Sequence, residues 1–365
     1  MYTSGTTGKP KGVLHTMRSI DAQVSTLQSA WQWSAKDRIL HSLPLHHIHG
    51  IVNALYCPLA SGATVEMMPK FSPTHVWERF ARQHNPITLF MGVPTMYSFL
   101  LSHLNSSDVS PATKKRYIQA ARRLRVCISG SAACPLPLMH AWKEAVTGEF
   151  LLERYGMTET GMVLGNPLLD AQARMPGTVG QPFPGVECEV GSDGELRVRG
   201  PQLFAGYWGK PEATRQAFDA DGFFLTGDTV EVVREGVEGR DSFFKILGRT
   251  SVDIIKSGGF KLSALEIENV LLEHPGIKEC AVVGVPDAHY GEIVGVVVGG
   301  GRDNKVLQLG DVQKWAKGKL APYQIPRVLK VLPGGLPRNA MGKVNKKDLR
   351  TRAFPDAFPS SLQQV

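Results

Sequence analysis

A chain of 365 residues, 42% hydrophobic and 20% charged, is long enough to bury one large core or two ordinary ones. No uninterrupted apolar run approaches the roughly 18–20 residues that span a bilayer, and Met1-Tyr2-Thr3-Ser4-Gly5 is not a charged, apolar or Arg-rich leader, so the expectation is a soluble piece without a targeting signal. The formal charge of +8 sits at one end: residues 301–365 hold 13 Lys or Arg against four Asp, which suits either a polyanionic ligand or a solvated basic face.

The chain opens on Tyr2-Thr3-Ser4-Gly5-Thr6-Thr7-Gly8-Lys9-Pro10-Lys11-Gly12. Glycines let a backbone approach an anion, hydroxyls and N–H groups donate to its oxygens, and lysines neutralise it, so this is a phosphate-holding loop. It is not a Walker A loop, because Pro10 follows Lys9 and Thr3 stands where the first glycine belongs. Farther on, Val126–Ser129 and Leu151–Tyr155 read as short buried strands feeding loops, a common place for sites. Between them, Leu138, Trp142 and Val146 fall at helical spacing and are expected to be core.

Residues 1–248 therefore read as an α/β or mixed α+β body. After Gly248 the texture changes. Ser263-Ala264-Leu265-Glu266 is a capping box opening a helix whose Leu265, Ile267, Val270 and Leu271 form an apolar face. Strands at Cys280–Val285 and Ile293–Val298, a helix over about Asp311–Leu320 and a strand at Val328–Leu332 complete a small α+β domain. The expected division is 1–248, 249–352 and a tail at 353–365.

Cys57, Cys127, Cys134, Cys188 and Cys280 form no CxxC pair and are odd in number, which argues against a zinc ribbon and a secreted disulfide framework and for a reduced, intracellular compartment. His46, His47 and His49 have no cysteine or carboxylate within several residues to complete a metal site, so packing or capping roles compete with a role in a channel. Nucleic-acid binding is disfavoured, because the basic end lacks interleaved aromatics.

The opening loop resembles the phosphate loop of the adenylate-forming superfamily of acyl-CoA synthetases, luciferases and peptide-synthetase adenylation domains, and further motifs follow in that superfamily's order. Gly130-Ser131-Ala132-Ala133 is similar to its adenine-side loop, and Glu153-Arg154-Tyr155-Gly156-Met157-Thr158-Glu159 to its YGxTE motif. The resemblance implies a partial large α/β N-terminal domain and a small α+β C-terminal domain. It also implies ATP and AMP contacts from Thr3, Ser4, Gly5, Thr6, Thr7, Gly8, Lys9, Pro10, Lys11, Ser131, Ala132, Tyr155 and Gly156, with Thr158 on the α-phosphate and Glu159 on Mg²⁺. Asp228 of Thr226-Gly227-Asp228 would hold the ribose, Arg249 would reach the nucleotide, and Asp253 would be the interdomain hinge. Gly258, Gly259 and Lys261 would line the CoA tunnel, and Lys343 of Pro337-Arg338-Asn339-Ala340-Met341-Gly342-Lys343 would be the catalytic lysine, withdrawn when the small domain turns.

Within the superfamily, the malonyl-CoA synthetases are the nearest likeness, on Leu43-Pro44-Leu45-His46-His47-Ile48-His49-Gly50, Arg154, Gly92-Val93-Pro94-Thr95-Met96-Tyr97 and Leu320-Ala321-Pro322-Tyr323. A dicarboxylic acid brings a second charge that must be paired on burial, best by a bidentate arginine. Arg154 is the expected partner of that carboxylate, with His47 in the acyl or CoA channel. The implied reaction joins malonate to CoA at the expense of ATP, giving AMP and pyrophosphate; a ligase for another small acid and an inert nucleotide-binding fragment remain alternatives. The implied partners are small molecules, with no carrier-protein domain after Lys343, and the implied compartment is mitochondrial or cytosolic. The resemblance begins at Tyr2, so the part of the large domain that precedes the loop in the family is missing from the reading, which predicts exposed apolar surface. Arg234–Asp241 is expected to lengthen a surface hairpin.

Overall fold

The computed structural model describes residues 1–3, 10–233, 242–301, 307–338 and 344–357. The Arg234–Asp241 loop and most of the Tyr2–Gly12 loop lie outside them. Two compact units result, one from residues 1–226 and 232–245, the other from 227–231 and 246–365.

The first unit is α/β. Its strands are β1 (Val13–Leu14), β2 (Arg38–His41), β3 (Thr64–Met67), β4 (Leu89–Gly92), β5 (Val126–Ser129), β6 (Leu152–Met157), β7 (Gly161–Gly165), β8 (Gln181–Pro182), β9 (Glu187–Val190), β10 (Glu195–Arg199) and β11 (Gly206–Tyr207). A seven-stranded sheet runs β3-β2-β4-β5-β6-β7-β8, parallel from β3 to β6 and antiparallel beyond. Strands β4 (Leu-Phe-Met-Gly) and β5 (Val-Cys-Ile-Ser) are buried at every position, which is why they read as continuous apolar runs without alternation. The expected strand at 126–129 is β5, with the same bounds. Helices α1 (Met17–Ala30), α2 (Cys57–Ala60), α3 (Pro73–Ala81), α4 (Pro94–Leu104), α5 (Pro111–Ala121) and α6 (Leu136–Trp142) belong to this body. Trp142 and Val146 are fully buried, and Trp142 meets Tyr97 edge-on at 4.9 Å and Trp77 in a stack at 6.2 Å. After α6 the helical spacing of Leu138, Trp142 and Val146 continues in π geometry at Lys143–Thr147 and stops at Gly148, whose φ of 82° a left-handed helix end requires.

Strands β12 (Phe224–Val233) and β13 (Phe243–Arg249) follow, and the sheet order is β13-β12-β10-β9. A short helix, α7 (Pro211–Gln216), precedes β12.

The second unit is α+β. A sheet of β14 (Ile254–Ser257), β15 (Phe260–Ser263), β16 (Ile277–Asp287), β17 (Gly291–Gly301) and β18 (Val328–Leu332) carries helices α8 (Ala264–Leu272), α9 (Leu309–Ala316) and α10 (Lys346–Ala353). Period-two alternation divides its core. Val282, Val296 and Val298 pack with Ile267, Leu271 and Val312, whereas Ala281 and Val297 pack with Leu349 and Ala353. Ser263 caps α8 by accepting from the Glu266 N–H, and Ile267 and Leu271 are the buried members of the predicted apolar face. The hairpin strands are longer than the sequence suggested, because Glu279 before the apolar run, and Glu292 and three glycines around its partner, are polar or featureless positions that still pair.

Candidate functional site

Thr158 and Glu159 form the turn between β6 and β7, at the carboxyl edge of the parallel strands. The turn is held from two sides. His15 Nε2 lies 2.7 Å from the Thr158 carbonyl oxygen, and the Glu159 carbonyl accepts from the Phe204 N–H at 2.9 Å. The Glu159 side chain is buried, and the Tyr207 hydroxyl donates to its Oε1 at 2.9 Å. Burial lowers the His15 imidazole below its ordinary range, against the raising effect of the Thr158 carbonyl, so His15 is neutral at pH 7.

The neck of the opening loop adjoins this turn in the chain's own hydrogen bonding. Thr3 N–H donates to the Lys11 carbonyl at 2.9 Å, and Lys11 N–H donates to Thr3 Oγ1 at 3.2 Å. Directly after it, β1 pairs antiparallel with β11, Val13 opposite Tyr207. Lys11 Nζ stands 4.4 Å from the centroid of the Tyr207 ring, a cation–π contact. Pro10 is exposed. Ser4, Gly5, Thr6, Thr7, Gly8 and Lys9 lie outside the described residues.

A second cluster follows β5. Gly130 faces the Arg154 guanidinium so closely that an added Cβ would lie 2.3 Å from Cζ, which explains the glycine. Ser131 adopts φ 70°, a strained value for a side-chain-bearing residue, and its Oγ lies 3.2 Å from His49 Nδ1. Ala132 is exposed. Arg154 is buried, and its Nε and Nη2 have no hydrogen-bond partner among the described residues. Burial pulls its guanidinium down to about 9, so it remains a cation at pH 7. Its neighbour Glu153 accepts from the Cys134 N–H at 2.8 Å, and burial pushes its carboxyl up to about 7. Tyr155 is half-buried, with its backbone opposite Leu164. His47 is half-buried with its ring 4.1 Å from that of His46. It is His49, at the start of the π-helical stretch His49–Tyr56, that reaches Ser131.

The remaining predicted residues belong to the second unit. Asp228 and Arg249 form an ion pair at 2.9 Å. Asp253 is buried, its Oδ2 accepting from the Arg249 N–H at 3.0 Å and its Oδ1 lying 2.6 Å from Lys346 Nζ. Lys346 also lies 2.7 Å from Glu268 Oε1, which places one ammonium between two carboxylates. Burial opposes that charge, but the carboxylates of Glu268 and Asp253 outweigh it and raise the Lys346 ammonium above its ordinary value. Gly258 and Gly259 are the two-residue turn between β14 and β15, with φ 56° and 85°; that turn type alone calls for both glycines. Lys261 is exposed. Lys343 lies outside the described residues; two positions on, Asn345 caps α10.

Sequence reading missed His15, Tyr207, Glu268 and Lys346. Each acts through a partner far away in the chain, and Tyr207 in particular reads as an ordinary core aromatic. Among the described residues no cluster of three His, Cys, Asp or Glu side chains is placed to hold a metal, and no helix is long and apolar enough to cross a membrane.

The AMP-binding enzyme family matches residues 1–208, and the AMP-binding enzyme C-terminal domain matches 266–343. The chain belongs to the AMP-binding enzymes. It is 48% identical to the mitochondrial malonate–CoA ligase of Mus musculus, over 100% of this chain and 66% of that protein. It is 47% identical to the malonate–CoA ligase of Arabidopsis thaliana, over 96% of this chain and 60% of that one. The structure of ATP-bound MatB from Rhodopseudomonas palustris superposes with a TM-score of 0.83 at 36% identity, covering 96% of this chain and 67% of MatB. The chain thus spans between 60% and 66% of the length of these two curated relatives. Their likeness agrees with the family read from the motifs, and with the large α/β and small α+β division of the fold.

Proposed function

We propose that the protein is an ATP-dependent malonate–CoA ligase. The observation that carries this reading is Arg154: a buried cation whose Nε and Nη2 nitrogens are unmatched among the described residues, on the strand that leads into Thr158 and Glu159. Such a group is costly unless something anionic meets it, and a guanidinium is shaped for a carboxylate. Malonate offers one carboxylate for Arg154 and a second for activation. The similarity to two malonate–CoA ligases supports the same substrate.

In the first step a carboxylate oxygen attacks the α-phosphorus of ATP and pyrophosphate leaves. In the second the CoA thiol attacks the acyl carbon and AMP leaves. The residues from Thr3 to Lys11 would hold phosphates, and Thr158 would donate to the α-phosphate. Ser131, Ala132, Tyr155 and Gly156 would border the adenine, while Asp228 and Arg249 would meet the ribose and nucleotide. Glu159 suits Mg²⁺, an oxygen-seeking ion that keeps few protein ligands and, when bound, offsets phosphate charge. Lys343 would stabilise the charge of the adenylation transition state. Gly258, Gly259 and Lys261 would border CoA, His47 the acyl or CoA channel, and Asp253 the hinge between domains at 1–248 and 249–352, with 353–365 a tail. A mitochondrial or cytosolic address accompanies the reading, the former favoured by the mouse relative's name.

Incubation of the chain with ATP, Mg²⁺, CoA and a panel of acids tests the proposal. Pyrophosphate release and thioester formation are expected to be highest with malonate and lost in Lys343→Ala. A preference for acetate or a longer monocarboxylic acid would refute the substrate assignment, and absence of turnover with every acid would refute activity in this chain.

A further inference from the structure

The segment Phe204–Trp208 ties together two pieces of chain that the proposed function uses separately. Toward the opening loop, Ala205 N–H donates to Leu14 O and Trp208 N–H to Gly12 O, each at 2.8 Å, and Val13 pairs with Tyr207. Toward the β6–β7 turn, Phe204 N–H donates to Glu159 O at 2.9 Å, and the Tyr207 hydroxyl donates to Glu159 Oε1 at the same distance. Tyr207 is the side chain at the crossing. Its ring face lies under Lys11 Nζ at 4.4 Å while its hydroxyl holds the Glu159 carboxylate. A phenylalanine would fill the same space against Phe204 and Phe224 and present the same ring face to Lys11, so it is the hydroxyl contact to Glu159 that calls for tyrosine.

We propose that Tyr207 is a positioning residue for the metal–nucleotide complex, setting the distance between a cation for the phosphates and a carboxylate for the metal. The hydroxyl fixes which carboxylate oxygen of Glu159 turns inward, and the ring holds the Lys11 ammonium beside it. Both groups are thereby placed before nucleotide arrives, which spares the ordering cost on binding. The inference rests on the proposed role of Glu159 as a Mg²⁺ residue.

The test is calorimetric titration of ATP into the chain, with Mg²⁺ and with EDTA, for the unsubstituted protein, Tyr207→Phe and Glu159→Gln. The phenylalanine variant keeps the ring, so its unfolding midpoint reports whether packing survives. Tyr207→Phe is expected to weaken ATP binding about tenfold in Mg²⁺, the size of one hydrogen bond to a charged acceptor, and by less than about twofold in EDTA. Equal weakening in both media, or none in either, would overturn the positioning role. If Glu159→Gln loses the Mg²⁺ advantage while Tyr207→Phe keeps it, the tyrosine proposal alone fails. If Glu159→Gln also keeps it, or the unsubstituted chain binds no ATP, the metal role of Glu159 fails and the tyrosine proposal with it.

Discussion

Two cations shielded from solvent, Arg154 almost wholly and Lys346 largely, distinguish the two units. In the second, Lys346 lies 2.6 Å from Asp253 and 2.7 Å from Glu268, and Glu268 Oε1 also accepts from the Val282 N–H at 2.7 Å. In the first, Arg154 is buried more completely, yet Nε and Nη2 meet no acceptor among the described residues. A matched ion network spends its charge on architecture, fixing the start of α10 against β16 and the turn before β14. An unmatched guanidinium leaves binding capacity in reserve. The same burial therefore has opposite meanings, decided by whether the protein supplies the counter-ion.

The largest expected effect tests the matched case. Lys346→Met leaves the buried Asp253 and the largely shielded Glu268 without their cation, and breaking such a network from one side costs about 3–5 kcal/mol. A urea titration of the chain should show that loss at pH 7, with partial recovery at pH 5, where protonation relieves the stranded carboxylates. Burial already raises the Glu268 carboxyl even with Lys346 beside it, so it is the first to take the proton. A loss below about 1 kcal/mol would mean that the network is a surface-like pair of little weight.

Arg154→Met tests the unmatched case and should leave stability nearly unchanged or raised, since it removes a buried charge whose Nε and Nη2 lack hydrogen-bond partners among the described residues. Its cost should appear in selectivity instead. The preference for malonate over acetate in kcat/KM should fall by about 100-fold, equivalent to about 2.8 kcal/mol at about 1.4 kcal/mol per tenfold. Equal loss toward both acids would show that Arg154 supports the fold of the site rather than the second carboxylate.

The two cations also differ in how far the sequence disclosed them. Arg154 lies inside a contiguous motif whose spacing to Glu159 is fixed, so a local reading reached it. Lys346 reads as one basic residue in a basic segment, because its partners lie 93 and 78 positions away and only folding brings them near. Tyr207 is hidden for the same reason, its acceptor being 48 positions upstream. Elements declared by local chemistry were legible: β5 and β18 by their apolar runs, α8 by its cap. The bounds of β16 and β17 were not, because their outer pairs depend on the partner strand rather than on side-chain hydrophobicity.

The smallest effect sharpens the contrast from the neighbouring residue. Glu153 is buried beside Arg154, and burial raises its carboxyl from 4.5 to about 7 in the folded chain. The folded state therefore holds the proton more tightly than the unfolded one, and stability falls as pH climbs from about 4.5 to about 7, then levels. Glu153→Gln keeps an oxygen for the Cys134 N–H and removes the titration. The difference in unfolding free energy between the two chains should drift by on the order of 1–3 kcal/mol in favour of the variant between pH 4.5 and pH 8. Parallel curves would mean that Glu153 is ionised throughout in the folded chain. Its charge would then offset that of Arg154, and the first unit's cation would be less available to a ligand than its hydrogen-bond geometry implies.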